Sequence, residues 1–512
     1  MKLQKSKAVF CAVLISSVFF NAFSDDFSDF DDFSDFDDFS DFTDFENSAE
    51  KSSNFAINGK ASIETRAYID SNNAEEIGIS AIPQGTLSFS YNGKKSDGKI
   101  SLKLNEEIIK NHPIDIIDEL EIKGYFNFFS IEAGKMKTVW GKGDKYHVLD
   151  NFNADDYSDF IIPDYIERRI STPLVKLNFD IPVSNIHLEA LYAPILTTDH
   201  FASSGRWVPS QVQVLNEQVT TAAENLVAIS FKNYNQALLN CDSTNLLSQA
   251  KLLEKGEAYL TALNAANDLK SNPSSIYPDL MTLKYGQFGG RLTGTFGSFD
   301  LGLSYYNGFY KQPTVNYAKI KTYIEKRLSD SATEEDKFLS YDRKQTFGFD
   351  AATVLWHFNL RGEFAYNLTE DTDGTNPAIR NNSLGYLLGF DIDLPFWNMN
   401  LNIQETGNVI LNSDKIEDNA NDFEKSKTGY TSNKIIANIT TSFFHDKLVP
   451  EVTAIWSIER KDFILLPKIS FKATDALTLE AKGMYIVSGD ENSEFYAWRK
   501  NSFVSIYASC QF

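Results

Sequence analysis

Residues 499–512 read Arg499-Lys500-Asn501-Ser502-Phe503-Val504-Ser505-Ile506-Tyr507-Ala508-Ser509-Cys510-Gln511-Phe512. From Val504 onward, Val504, Ile506, Ala508, Cys510 and Phe512 share one parity, while Ser505, Tyr507, Ser509 and Gln511 share the other. Side chains alternate faces along a strand, so the stretch predicts a strand with one apolar and one wetter face. Termini of water-soluble domains usually fray, so an apolar strand at the very end of a chain asks for an explanation. The last strand of a soluble sheet would alternate in the same way, and the decision lies in the rest of the chain.

The same pattern recurs. In 55–69, Phe55, Ile57, Ala61, Ile63, Ala67 and Ile69 share a face opposite Asn58, Lys60, Ser62, Glu64 and Arg66. Further strands are expected near 85–92, 99–108, 115–126, 129–140, 172–180, 186–194, 283–297, 299–309, 345–356, 359–367, 383–394, 399–409, 432–444, 448–459, 462–473, 477–487 and 498–512. Most are near the 9–11 residues that a tilted membrane strand needs. Tight connections such as Asn92-Gly93-Lys94 and Gly297-Ser298-Phe299 alternate with long ones at 141–171, 195–282, 310–344, 368–382, 410–431 and 488–497, with Glu459–Lys461 as a short loop in a long slot. A soluble sandwich has no reason to sort its loops by parity, whereas a membrane barrel has short turns at one end and long loops at the other. The expected fold is all-β: a transmembrane, antiparallel, up-and-down barrel of about 16–18 strands over 54–512. An even strand count puts both ends of the barrel on the periplasmic side. Aromatic pairs at strand ends, such as Tyr125-Phe126, Phe396-Trp397 and Phe443-Phe444, suit interfacial girdles.

With that pattern in hand, the terminal Phe512 resembles the C-terminal signal by which bacterial outer-membrane barrels are recognised for assembly. This implies the barrel-assembly machinery and outer-membrane lipid as partners. Residues 1–24 read as a secretory signal: Lys2, Lys5 and Lys7, then an apolar run from Ala8 to Phe20, then Ala22-Phe23-Ser24 before the expected cleavage near Ser24. Residues 25–53 are expected to be a disordered acidic tail. Asp-Asp-Phe-Ser-Asp-Phe occurs three times over 25–42, and eleven acids stand without a base between Asp25 and Glu46. The phenylalanines, always three apart, would serve at most as short anchors on a partner or at the barrel mouth.

Composition excludes several functions. A formal net charge of −22 argues against a nucleic-acid partner. Three cysteines, Cys11 inside the leader, make no disulfide framework, and the six histidines form no H-x-x-x-H pair. No metal or cofactor is expected, and no Ser/His/acid arrangement suggests an enzyme. The acids of 150–159 lack EF-hand spacing.

Residues 195–282 differ from the rest. Val212, Leu215, Val219, Ala222, Leu226 and Ile229 recur at helical spacing, as do Leu246, Leu247, Ala250, Leu253, Tyr259, Leu260, Leu263 and Ala266. Two amphipathic helices joined near 240–245 are expected, forming a hairpin in a long outer loop that caps, gates or plugs the barrel.

The most specific local sequence is Ala133-Gly134-Lys135-Met136-Lys137-Thr138-Val139-Trp140-Gly141-Lys142-Gly143-Asp144, leading to Asp150-Asn151-Phe152-Asn153 and Arg168-Arg169. It resembles a family of outer-membrane barrels of undefined function, and is broadly similar to porin-like channels and hydrophobic-compound transporters. The resemblance covers 133–169. It implies a loop folded into the barrel, with Trp140, Asp150, Asn153, Arg168 and Arg169 near a constriction. From the residues themselves, Trp140 would anchor a strand end at the interface. Lys135, Lys137, Lys142, Lys145, Arg168 and Arg169 would face Asp150, Asp155, Asp156, Asp159 and Glu167 across a lumen and select solutes. The expected function is a channel or facilitated transporter for small solutes, apolar compounds among them. A surface adhesin or scaffold using loops 195–282 and 310–344 is the alternative.

Overall fold

The computed structural model describes residues 54–69, 78–159, 165–181, 185–416, 421, 422, 425, 426 and 429–512. The expected leader, the acidic repeat and the 182–184 turn lie outside them. Ile57–Phe512 form one compact unit.

Its frame is eighteen antiparallel strands. They are β1 (Phe55–Tyr68), β2 (Ile79–Asn92), β3 (Ser96–Asn105), β4 (Ile117–Tyr125), β5 (Phe129–Met136) and β6 (Thr172–Ile181). Next come β7 (Ile186–Ala193), β8 (Gln287–Phe296), β9 (Phe299–Phe309), β10 (Arg343–Leu355), β11 (Phe358–Thr369) and β12 (Ser383–Leu394). The last six are β13 (Met399–Ile410), β14 (Thr431–Thr440), β15 (Leu448–Ser457), β16 (Phe463–Lys472), β17 (Leu477–Val487) and β18 (Phe503–Gln511). Each pairs with its sequence neighbours, and β18 returns to β1 with Lys60 opposite Gln511 and Tyr68 opposite Phe503. Closure removes every sheet edge. At the seam, Phe512 N donates to Gly59 O at 2.9 Å and Gly59 N to Phe512 O at 2.8 Å. A Cβ on Gly59 would lie 2.2 Å from the Phe512 ring, so any side chain there displaces the terminal aromatic.

The two faces carry opposite chemistry. Ile63, Leu188, Leu303, Phe349, Phe364, Leu388, Val452, Val504 and Ile506 are exposed on the outside. Their strand neighbours, among them Arg66, Asp350, Glu363, Leu387, Thr453 and Ser505, are buried on the inside. An apolar outer belt around a polar interior is what a bilayer, rather than water, stabilises. No helix among the described residues is long and apolar enough to cross a membrane. Short turns, including 93–95, 126–128, 297–298, 356–357 and 473–476, share one end, and the long loops share the other.

Local chemistry moves several strand limits. The strand expected over 99–108 stops at Asn105, whose side chain accepts from Ile108 N at 2.7 Å and caps a short helix, Glu106–Asn111. The strand expected to reach residue 140 ends at Met136, and the one expected from 498 starts at Phe503, after the helical turn Tyr496–Trp498.

The hairpin is present as α1 (Ser210–Leu239) and α2 (Leu246–Ser271), with Asn245 capping α2. It packs against a further helix, α3 (Tyr317–Leu328), through Leu215, Val219, Ala223, Ala262, Ala266, Leu269, Ile320, Tyr323 and Ile324. Of the face expected on α2, Ala266 does pack in this core, and the leucines are corrected. Leu246, Leu247, Leu253 and Leu260 are exposed, because small Ala262 and Ala266 give α1 and α3 the closer approach.

Candidate pore constriction

The connection between β5 and β6, described over 137–159 and 165–171, enters the barrel and lies on its inner wall. Three wall glycines receive it. A Cβ on Gly289 would meet Trp140 at 2.9 Å and Phe152 at 3.1 Å, and one on Gly348 would meet Leu149 at 2.5 Å. A Cβ on Gly385 would contact Val148 at 3.5 Å. Trp140, Leu149 and Phe152 are buried with Met136, Leu174, Leu191, Tyr306 and Ala365. The Phe152 ring stands edge-on to Trp140 at 5.2 Å and to Tyr306 at 5.1 Å. Each of these large side chains contributes roughly 1.5–3 kcal/mol to holding the loop down.

A single wall carboxylate supplies the polar counterpart. Glu363 of β11 accepts from Lys142 N and Gly143 N at 2.7 Å, His147 Nδ1 at 2.9 Å, Val148 N at 2.8 Å and Leu149 N at 3.4 Å. Gly141, at φ +117°, turns the chain around it, and a Cβ there would lie 2.2 Å from Glu363 Oε1. Asp144 meets Arg361 and accepts from Asn402 Nδ2 at 2.5 Å, and Lys344 Nζ donates to Asn151 Oδ1 at 2.6 Å. On β1, Arg66 Nη1 donates to Asp159 Oδ1 at 2.7 Å. Since β1 and β11 lie ten strands apart one way round the barrel and eight the other, the segment reaches nearly opposite walls.

The sequence-derived residues fall into two groups. Asp150, Asn153 and Arg169 are brought together inside the loop. Asn153 Oδ1 accepts from Thr138 N at 2.8 Å, and its Nδ2 donates to Met136 O at 3.0 Å and Ile170 O at 2.9 Å. Arg169 pairs with Asp150 and donates to Thr138 O at 2.7 Å. Burial pushes the Asp150 carboxyl above its ordinary range, with Arg169 pulling the other way. These three residues brace the loop. Lys135, Lys137 and Arg168 belong to the mouth: Lys135 pairs with Asp115 at 2.7 Å, Lys137 with Asp118 at 3.1 Å, and Arg168 with Asp155 at 3.7 Å. The expected opposition of lysines to the acids of 150–159 is therefore corrected, because Asp115 and Asp118 reach Lys135 and Lys137 first. Trp140 does not sit at the membrane interface. It is buried inside, with Nε1 donating to Glu189.

The loop divides the inner wall. Beneath it, the side chains of Asp350 and Glu363 are 0% exposed. Away from it the wall carries paired but wet charges: Lys99–Glu119 at 2.6 Å, Lys468–Glu451 at 2.5 Å and Lys482–Glu480 at 2.9 Å. Their lysine side chains are 40%, 32% and 28% exposed, respectively. Toward the mouth, Asp155 N donates to Asp199 Oδ1 at 3.0 Å and Asp199 N to Lys311 O at 3.1 Å. Burial, with Asp155 close by, raises Asp199 to about 6. Burial and the neighbouring Lys344 lower Lys311 to about 7. Glu363 and the receiving glycines were invisible to local reading, because an inward carboxylate or glycine in an alternating strand has no signature of its own.

No family model matches the chain, and no curated protein matches it. Solved structures with a similar barrel include Salmonella typhi OmpF in complex with daunomycin, at TM-score 0.38 and 8% identity over 90% of this chain and 97% of that one. Pseudomonas aeruginosa OccK1 (OpdK) aligns at TM-score 0.41 and 9% identity, covering 89% and 98%. Acinetobacter baumannii OccAB3 aligns at 0.43 and 9%, covering 90% and 99%. Similarity at this level bears on neither the solute nor the site, both of which rest on this chain's own residues.

Proposed function

We propose that the protein is a passive channel or facilitated transporter for small solutes in a bacterial outer membrane, without enzymatic activity. The observation that carries this is the divided lumen: a dry, loop-covered wall on β8–β13 and a wet wall of both charge signs on β3–β4 and β15–β17. Interleaved cations and anions on a solvated wall set a transverse field through which small polar solutes pass. The export leader, a membrane crossing made by strands, and the terminal Phe512 at the seam support outer-membrane residence and handling by the barrel-assembly machinery. Lys135, Lys137 and Arg168 would shape the entrance. Trp140, Asp150, Asn153 and Arg169 would hold the constriction rather than touch the solute.

The test is single-channel conductance of the refolded mature chain in planar bilayers, beside a version lacking 210–271. Stable steps establish a pore, and larger steps in the shortened chain make the hairpin an obstruction. A folded, inserted barrel without steps in either version overturns the reading. One observation favours the surface-scaffold alternative: Leu246 and Leu247 at the hairpin tip are 82% and 79% exposed. Conductance-silent barrels that bind a partner through that tip would establish it.

A further inference from the structure

His112, Asp115 and His200 each offer one ligand atom, and these atoms lie within 4.8 Å of one another. They come from two different outer loops. His112 closes the short helix Glu106–Asn111, its N–H donating to Ile108 O at 3.0 Å. Asp115 sits on the next turn, with Asp115 N donating to His112 O at 2.9 Å, so one piece of backbone presents both side chains. His200 lies in a two-residue strand, His200–Phe201, paired in parallel with Asp156 and Tyr157 of the loop that enters the barrel. The two imidazole rings stack with centroids 3.6 Å apart and planes 10° off parallel. Asp115 is oriented by Lys135, which takes Oδ1 at 2.7 Å and leaves Oδ2 3.9 Å from His200 Nε2.

The geometry points to a binding site for a first-row divalent transition metal ion, held by His112, Asp115 and His200, that staples the 106–116 loop to the β7–β8 loop, which itself pairs with the lumen loop at Asp156 and Tyr157. Two imidazoles and one carboxylate are a donor set that zinc and its neighbours accept, with further positions left for water. Bonds of about 2.1 Å in a tetrahedron place ligand atoms about 3.4 Å apart, so the three groups close by about an ångström. An imidazole binds metal in its ring plane, so one ring turns out of the stack on binding. The ligand nitrogen must also be unprotonated. The sequence offered no hint of this, since the two histidines stand in separate loops.

The experiment is calorimetric titration of the folded full chain in detergent micelles with Zn2+, and with Co2+ as a spectroscopic probe. One ion per chain is expected. His112→Gln and His200→Gln should each weaken binding by at least about 10- to 100-fold, the range that loss of even an outer partner of a metal ligand costs. His187→Gln, at the start of β7 at the far end of the barrel and paired with Asp180 at 2.7 Å, should leave binding unchanged. Zn2+ should also raise the unfolding temperature of the native chain but not of the double variant His112→Gln/His200→Gln. Retention of the compact band on unheated gels shows that each variant has folded. Absence of binding to the folded native chain at 100-micromolar-order Zn2+, or binding unaffected by the double variant, overturns the proposal.

Discussion

The Glu363 carboxylate of β11 receives His147 Nδ1 at 2.9 Å and, through its other oxygen, Val148 N at 2.8 Å. Their positions are 216 residues apart. With Lys142 N and Gly143 N added, one inward side chain gathers the donors of the turn over 142–148. Glu363→Ala strands those donors, each at about 1–3 kcal/mol. The loop should leave the wall while the barrel stays closed. Single-channel recordings should then show larger and noisier steps, and a variant indistinguishable from native would contradict the tether.

The glycine sockets make a paired prediction. In Gly348→Val the new side chain takes the space of Leu149, whereas the lipid-facing Gly290→Ala meets only Glu189 O at 3.5 Å. Labelling of a cysteine placed at Asn151, which is buried in the same loop and leaves Leu149 intact, should rise several-fold in Gly348→Val and stay at the native level in Gly290→Ala. Equal labelling would remove the socket argument.

Trp356 and Trp397 lie in short turns at φ +57° and are 83% and 70% exposed. A left-handed backbone at a bulky residue costs roughly 1–2 kcal/mol relative to glycine. Trp397→Gly should therefore raise the urea midpoint of the barrel in detergent. In bilayers, where the indole sits at the interface, the gain should shrink or reverse. The same change in both media would mean that the ring does no anchoring.

Lys311 gives a pH dependence. Burial, then Lys344, lowers it from an ordinary 10.5 to about 7. Between those values the unfolded chain holds the proton that the folded chain has lost, so stability from this group rises with pH from about 7 to 10.5. Lys311→Met removes the cost of the buried cation. The variant should be more stable than native at pH 6, by an amount on the order of a few kcal/mol at most, and the difference should close by pH 10. A difference that does not change with pH would place Lys311 in water.

At the seam, Gly59→Val fills the space of the Phe512 ring. The fraction of chain refolding to the compact band should fall. Restoring it by also changing Phe512 to Ala would assign the loss to that contact.

The alternation of Val504, Ile506 and Ala508, the parity of loop lengths and the two helical repeats of 210–271 determined the barrel, a strand number of about 16–18 and the hairpin, while ring closure decided on eighteen. Pleat and helix pitch act between residues a few positions apart, so one sequence carries them. The 133–144 motif also pointed to a loop inside the barrel. Only the tertiary structure decided what that loop grips. Glu363, Gly289, Gly348 and Gly385 stand on strands that closure alone brings round to face it. It likewise decided that Asp115, from another loop, and Asp118, on β4, take Lys135 and Lys137, and that Ala262 rather than Leu246 faces α1 and α3. Those choices depend on ring closure and on competition between distant partners, which have no period along the chain.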